Sequence, residues 1–261
     1  MAEKDLAGRT ALVTGSTSGI GEATAKQLAE HGAHVIVVGR RQELGDGVVA
    51  AIRAAGGKAD YVRAELSDAA SARELAQRTL EISGGQIDIL VNNAGTAVFG
   101  PTAETLEENW DTTFNTNLKG HFFLVGELAP KMAARGKGVI VNTSTMVGQF
   151  AAPGMAVYGA TKAGLNLLTK SWAAEFGPAG VRVNAVSPGT TRTQKVVGVM
   201  GDGLDELGKQ APLGYVAGSG PDESRSRGVR RCAATRSQQR FVVAPARQGS
   251  ACRRMTVHHR L

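Results

Sequence analysis

Short apolar runs alternate with stretches of helical period along most of this chain. Ala11-Leu-Val-Thr14 and Val35-Ile-Val-Val38 show no polar alternation, the mark of strands buried on both faces. Lys58 to Arg63 is a weaker strand, Ile87 to Val91 a fourth, Gly138 to Asn142 a fifth and Val181 to Val186 a sixth. Between them, Gly21 to His31 carries Ala25, Leu28 and Ala29 at helical spacing, with Gly32 as a stop. Residues 41–55 read as a helix ending at Gly56-Gly57, and Asp68 to Ile82 as one capped by Asp68 or Ser67. Residues 104–135 hold one short and one long helical pattern, and residues 156–177 another, with Leu165, Leu168 and Trp172 on one face. Apolar strands separated by helices need right-handed crossovers. The pattern therefore predicts a doubly wound α/β fold, a parallel sheet with helices on both faces.

That pattern breaks near Ala217, where Arg-, Ser- and Gln-rich sequence begins and only Phe241-Val-Val-Ala244 resembles a strand. The break divides the chain into one domain over residues 1–215 and an atypical basic tail over residues 216–261. It also explains the charge. The whole 261-residue chain carries a net +7, yet residues 216–261 hold ten Arg against Asp222 and Glu223, leaving the body close to neutral. Ten Arg with Phe241 as the tail's one aromatic offer charge without stacking platforms, so no nucleic-acid partner is expected. No apolar run reaches the roughly 20 residues of a membrane span, and the N-terminus lacks the apolar core of a signal peptide. Cys232 and Cys252 both lie in the tail, with no ligand spacing for a metal, and a cytoplasmic location is expected.

Three places carry candidate chemistry. Thr14-Gly-Ser-Thr-Ser-Gly-Ile-Gly21 lies between the first strand and first helix, where glycines let backbone N–H groups approach a pyrophosphate. Its Gly-x3-Gly-x-Gly spacing differs from the general dinucleotide fingerprint, and alone it could be a tight turn. After the second strand stand Gly39-Arg40-Arg41, with no acid until Glu43. Two guanidiniums suit a 2′-phosphate and leave no acceptor for a free ribose hydroxyl, which favours NADP(H) over NAD(H). The plainer alternative is a solvated helix start. Tyr158 and Lys162 lie four apart on a predicted helix and so share a face. A cation beside a phenol draws its pKa down from about 10 toward the working range of an acid–base group. Many surface helices carry the same pair without chemistry.

Together these segments resemble the short-chain dehydrogenases/reductases, most of all the 3-oxoacyl-(acyl carrier protein) reductases, over roughly residues 7–215. The resemblance is carried by Thr14–Gly21, Asn92-Asn-Ala-Gly95, Asn117-Leu-Lys-Gly120, Tyr158-x3-Lys162, and Ser187-Pro-Gly189 with Thr193. It implies a Rossmann-like fold and an oxidoreductase moving a hydride between NADP(H) and a small carbonyl or secondary-alcohol substrate. Tyr158 would transfer the proton, Lys162 would lower its pKa and bind the nicotinamide ribose, and Asn117 would hold a relay water. Gly15, Ser16, Thr17, Ser18, Gly19, Ile20 and Gly21 would cradle the cofactor. Arg40 and Arg41 would meet its phosphate, and Glu65 and Leu66 its adenine. Asn92, Ala94 and Gly95 would line it, while Pro188, Gly189, Thr191 and Thr193 would hold the carboxamide end. Members usually form tetramers through residues 104–135 and 156–177, so a homotetramer or dimer is implied.

Two departures stand out. The family's catalytic Ser, thirteen residues before the Tyr, is Thr145 here. Thr145 keeps the hydroxyl, whereas Ser144 is one position off and should point the other way along a strand end, leaving it as the fallback. The second departure is the tail, which replaces a helix and a seventh strand. An out-of-frame reading of a GC-rich gene would produce such a switch; a divergent tail or a nucleic-acid-binding extension are the alternatives. Low apolar content and like charge predict that residues 224–261 are irregular or disordered, with at best Phe241–Ala244 pairing at the sheet edge. Losing the usual ending also raises a competing function, a chain that binds cofactor but is catalytically impaired.

Overall fold

The apolar runs form the centre of the molecule because each strand offers side chains to both faces of one sheet. The structure, a computed structural model, describes residues 4–201, 203–210, 216–218 and 241–243. Strand β1 (Thr10–Val13) leads to α1 (Gly19–Glu30), β2 (His34–Gly39) to α2 (Gln42–Ala54), and β3 (Lys58–Arg63) to α3 (Ala69–Ile82). Strand β4 (Ile89–Asn92) precedes α4 (Glu107–Phe114) and α5 (Gly120–Ala134), joined by a π-helical turn at Asn115–Lys119. Then come β5 (Gly138–Thr143), α6 (Ala156–Phe176) and β6 (Val181–Ser187). Beyond them lie β7 (Thr191–Arg192), α7 (Gln194–Met200), α8 (Gly203–Gln210), β8 (Ala217–Gly218) and β9 (Phe241–Val243).

The main sheet is parallel, in the order β3-β2-β1-β4-β5-β6-β9. Chain order reverses between β1 and β4, the switch point at which open α/β sheets form a crevice beyond the carboxyl ends of the strands. Residues alternate between two cores. Leu12, Ile36, Leu90 and Ile140 pack with Leu75, Leu124 and Leu165 of α3, α5 and α6. Val13, Val37, Val91 and Val141 pack with Leu28, Val49 and Ile52 of α1 and α2. This is the doubly wound architecture that the run pattern predicts.

Element ends differ in small, explicable ways. Helix α1 starts at Gly19 rather than Gly21 because Ser18 already serves as its N-cap, its carbonyl accepting from the Glu22 N–H at 3.3 Å. Pairing of β4 with β1 begins at Ile89, while the Asp88 carboxylate accepts the Thr10 N–H at 3.0 Å. Asp68, and not Ser67, caps α3, accepting from the Ser71 N–H at 2.8 Å.

At the far edge, β9 pairs in parallel with Ala185–Ser187, so the strand-like piece of the tail sits where the sheet would otherwise end. Apart from residues 241–243, the expectation of irregular structure over 224–261 lies outside the described residues. Among the described residues, no helix is long and apolar enough to cross a membrane.

Candidate active site

A cleft of about 710 Å³ opens beyond the carboxyl ends of β1 to β4. Its floor is the Gly-rich turn, held shut by close backbone contacts. A Cβ on Gly21 would lie 2.3 Å from the Gly15 carbonyl oxygen, and one on Gly15 would lie 2.8 Å from the Ala94 Cα. Only glycine permits that approach, and Gly15 also adopts a φ of +62°. Gly15, Thr17, Ser18, Gly19, Ile20 and Gly21 all reach the cleft wall. Ser16 does not. Its buried hydroxyl donates to the Val13 carbonyl at 2.6 Å and accepts from the Val38 N–H at 2.9 Å, tying the turn to β1 and β2.

The Asn92-Asn93 pair divides its work in a way the sequence reading missed. Asn92 is fully buried and donates to the Asn142 Oδ1 at 2.9 Å, between β4 and β5. Asn93 faces the cleft and donates from Nδ2 to the carbonyls of Thr14 and Gly15, each at 3.1 Å. The Thr14 hydroxyl in turn accepts the N–H groups of Asn93 and Ala94 at 2.9 and 3.0 Å. Strand alternation carries the signal: Asn92 shares the face of Leu90, and the next residue turns the other way.

At the outer end, Arg40, Arg41, Glu65 and Leu66 line the cleft. The Arg40 guanidinium donates to the Glu65 carboxylate at 2.9 Å, across the ends of β2 and β3, and both side chains are largely exposed. Leu66 is buried against Gly120. On the opposite side Thr193 lines the cleft and caps α7, its hydroxyl accepting from the Val196 N–H at 3.2 Å. Thr191 is buried, and its hydroxyl donates back to the Gly189 carbonyl at 3.1 Å. Pro188 is buried beside Gly189.

Behind Gly95 the surroundings are drier. Helix α6 places Tyr158 and Lys162 one turn apart. The Lys162 ammonium is buried, donates to the Thr143 carbonyl at 2.8 Å, and lies 5.8 Å from the centre of the Tyr158 ring. Burial lowers its pKa from 10.5 to about 8, because the neutral amine loses less on leaving water. The Tyr158 phenol has its pKa raised, chiefly by burial, with a hydrogen bond from Thr145 pulling the other way. The lowering by Lys162 that the resemblance implies is therefore not what dominates in this geometry. Ser144 points away, its buried hydroxyl directed at the Lys162 backbone carbonyl at 3.4 Å.

Asn117 sits in the π-turn, fully buried. Its Oδ1 accepts the Thr96 N–H at 2.8 Å, and its Nδ2 donates to the Thr96 carbonyl at 2.8 Å and to the Thr161 hydroxyl at 3.0 Å. Gly95 lies alongside: a Cβ there would stand 3.3 Å from Asn117 Oδ1 and 3.6 Å from Lys162 Nζ. One titratable neighbour went unnoticed in the sequence. His121, wholly buried, meets the Asn117 carbonyl through Nδ1 at 3.1 Å. Burial, helped by the Lys162 charge, lowers its pKa to about 3, so it is neutral at ordinary pH. Its position, i+4 from Asn117, was the available signal.

Comparison with known proteins agrees with this arrangement. The short chain dehydrogenase family pattern matches residues 9–200. The chain is 39% identical over 209 residues to a 2,5-dichloro-2,5-cyclohexadiene-1,4-diol dehydrogenase of Sphingobium indicum, spanning 80% of this chain and 83% of that protein. It is 38% identical over 188 residues to a 3-oxoacyl-(acyl-carrier-protein) reductase of Thermotoga maritima, spanning 72% and 76%. Among solved structures, an Agrobacterium tumefaciens 3-oxoacyl-(acyl-carrier-protein) reductase with NADP bound superposes with a TM-score of 0.82 at 28% identity, covering 92% of this chain and 95% of that one.

Proposed function

This chain belongs to the short-chain dehydrogenase family, and from that premise we propose that it is an NADP(H)-dependent oxidoreductase interconverting a carbonyl and a secondary alcohol. The observation that carries the reading is the buried Lys162 ammonium, held by the Thr143 carbonyl one helical turn from Tyr158 and 5.8 Å from its ring centre. Lys162 stands behind Gly95, which lines a dinucleotide-sized cleft.

The cleft fits such a cofactor. Ser18 makes no side-chain cap on α1, so the first-turn N–H groups remain for an anion, and Gly19, Ile20 and Gly21 bring that turn to the cleft wall. Arg40 and Arg41 at its outer end suit a 2′-phosphate. The bound nicotinamide supplies or accepts the hydride. Thr145 holds the substrate oxygen by donating to it. Tyr158, kept protonated by its raised pKa, gives its proton to that oxygen in the reducing direction. Lys162 stabilises the phenolate left behind, and Asn117 braces the chain around Gly95, close to Lys162.

Ser16 and Asn92 serve this site by positioning its walls. The dehydrogenase and reductase relatives support the reaction class, and the NADP-bound neighbour supports the cofactor. Exposed Trp110, Phe122 and Leu167 on α4, α5 and α6 support assembly as a homotetramer or dimer. A cytoplasmic location goes with this reading.

Two measurements test it. Titration with NADPH followed by assay of a carbonyl panel is expected to show binding and turnover. Binding without turnover on any substrate would leave the impaired, cofactor-binding alternative. Arg40→Asp is expected to weaken NADPH use about 10- to 100-fold while changing NADH use little. Equal losses with both cofactors would show that Arg40 does not read the 2′-phosphate.

A further inference from the structure

We propose that the substrate of this site is an uncharged, largely apolar ketone or secondary alcohol, and that carboxylate-bearing substrates are excluded. The inference rests on the reductase reading and adds to it the chemical class of the substrate. Three chain segments surround the Tyr158–Thr145 pair: residues 96–101, residues 145–155 and residues 188–191. The first two are tied together by the Gly100 N–H, which donates to the Gly154 carbonyl at 2.9 Å. The Phe99 ring stands edge-on to the Tyr158 ring, with centroids 6.1 Å apart at 77°. The Met146 Sδ lies 3.4 Å from where a Cβ on Gly189 would sit, joining the second segment to the third.

These walls expose apolar surface where a reaction centre would admit its ligand. Phe99, Met146 and Phe150 are 51%, 44% and 65% exposed, and Phe150 follows Met146 in the same turn, its N–H donating to the Met146 carbonyl at 3.0 Å. Single exposed apolar residues are ordinary, but a cluster at the mouth of a polar catalytic group marks a ligand surface. The second observation is charge. Residues 94–103, 143–157 and 187–191 contain no Asp, Glu, Lys, Arg or His. Arg192, the next cation along the chain, is engaged by Asp205. A carboxylate on the substrate would leave water and find no cation in these three segments, the nearby Lys162 ammonium being held by the Thr143 carbonyl, whereas an apolar body would gain contact with Phe99 and Met146.

A matched pair of ketones tests this: 4-methylcyclohexanone and 4-oxocyclohexanecarboxylate, which differ chiefly in charge. With NADPH, kcat/KM for the neutral ketone is expected to exceed that for the carboxylate at least 100-fold. Calorimetric binding to the NADP-loaded protein is expected to give the same order. A carboxylate used or bound as well as its neutral partner, or no binding of either, overturns the inference while reduction itself still supports the enzyme reading. Tighter binding of the neutral ketone without turnover of either sustains the inference and removes the enzyme reading. Phe99→Lys, at an exposed position, is expected to narrow the neutral-to-anionic ratio at least tenfold. An unchanged ratio would take Phe99 off the substrate wall and overturn the proposal.

Discussion

Lys162 and Arg40 are both cations at the carboxyl edge of one sheet, yet the protein holds them in opposite ways. Lys162 is buried against the Thr143 carbonyl, and desolvation brings its pKa to about 8. Arg40 stays in water, its side chain 73% exposed, balanced by the equally solvated Glu65. Lys162 therefore acts through a low-dielectric contact that cannot be rearranged cheaply, while Arg40 is in a pair worth at most about 1 kcal/mol. The surroundings of Lys162 are dry; those of Arg40 are wet. Mutations at the first should act on turnover and stability, and those at the second on cofactor choice.

The largest expected effect is Tyr158→Phe. Removing the phenol hydroxyl should lower kcat about 10²- to 10⁴-fold while NADPH affinity stays within about threefold. A variant retaining near-full turnover would break the assignment of proton transfer to this residue.

Lys162→Met separates function from stability. Turnover should fall about 100-fold. The wild type should also become more stable relative to the variant as pH rises. The sign follows from the pKa: folding depresses it from 10.5 to about 8, so the unfolded chain binds the proton more strongly in that window. The full stabilisation is present above about pH 10.5 and is lost as pH falls to 8, a change on the order of 3 kcal/mol. Urea unfolding of both proteins at pH 7 and pH 10.5 reads it, and a difference that does not move with pH would mean the amine is not desolvated.

The smallest effect belongs to Glu65→Gln, which releases Arg40 from its ion pair. NADPH should bind about two- to fivefold tighter, with NADH little changed, and the gain should shrink at high salt. Weaker NADPH binding would instead make Glu65 a direct partner of the cofactor.

Local pattern carried much of this structure. Unbroken apolar runs announced strands buried on both faces, and each run found in the sequence lies in the sheet. The glycine spacing after β1 announced a turn with room for a phosphate because only Gly permits the approach of Gly15 to Ala94. Alternation at the strand end announced that Ser144 and Thr145 point opposite ways, and Ser144 is turned to the Lys162 backbone carbonyl. Phe241–Val243 was the one strand-like piece of the tail, and it pairs with β6.

Other features depended on groups far apart in sequence. Asn92 looked like a cofactor contact until Asn142, 50 residues on, claimed its side chain. Ser16 joined the phosphate loop in sequence but is taken by Val13 and Val38 once β1 and β2 pair. The acid missing after β2 arrives from the end of β3, where parallel pairing sets Glu65 beside Arg40. His121 went unnoticed on its helix, and the pairing of Lys162 with Tyr158 was legible but not its loss of water, which the packing of α5 and α6 imposed on both. Spacing along one chain fixes which side chains share a face, because backbone periodicity is local. Which polar group loses its water, and which partner replaces it, is set by distant segments meeting, and there the tertiary structure decided.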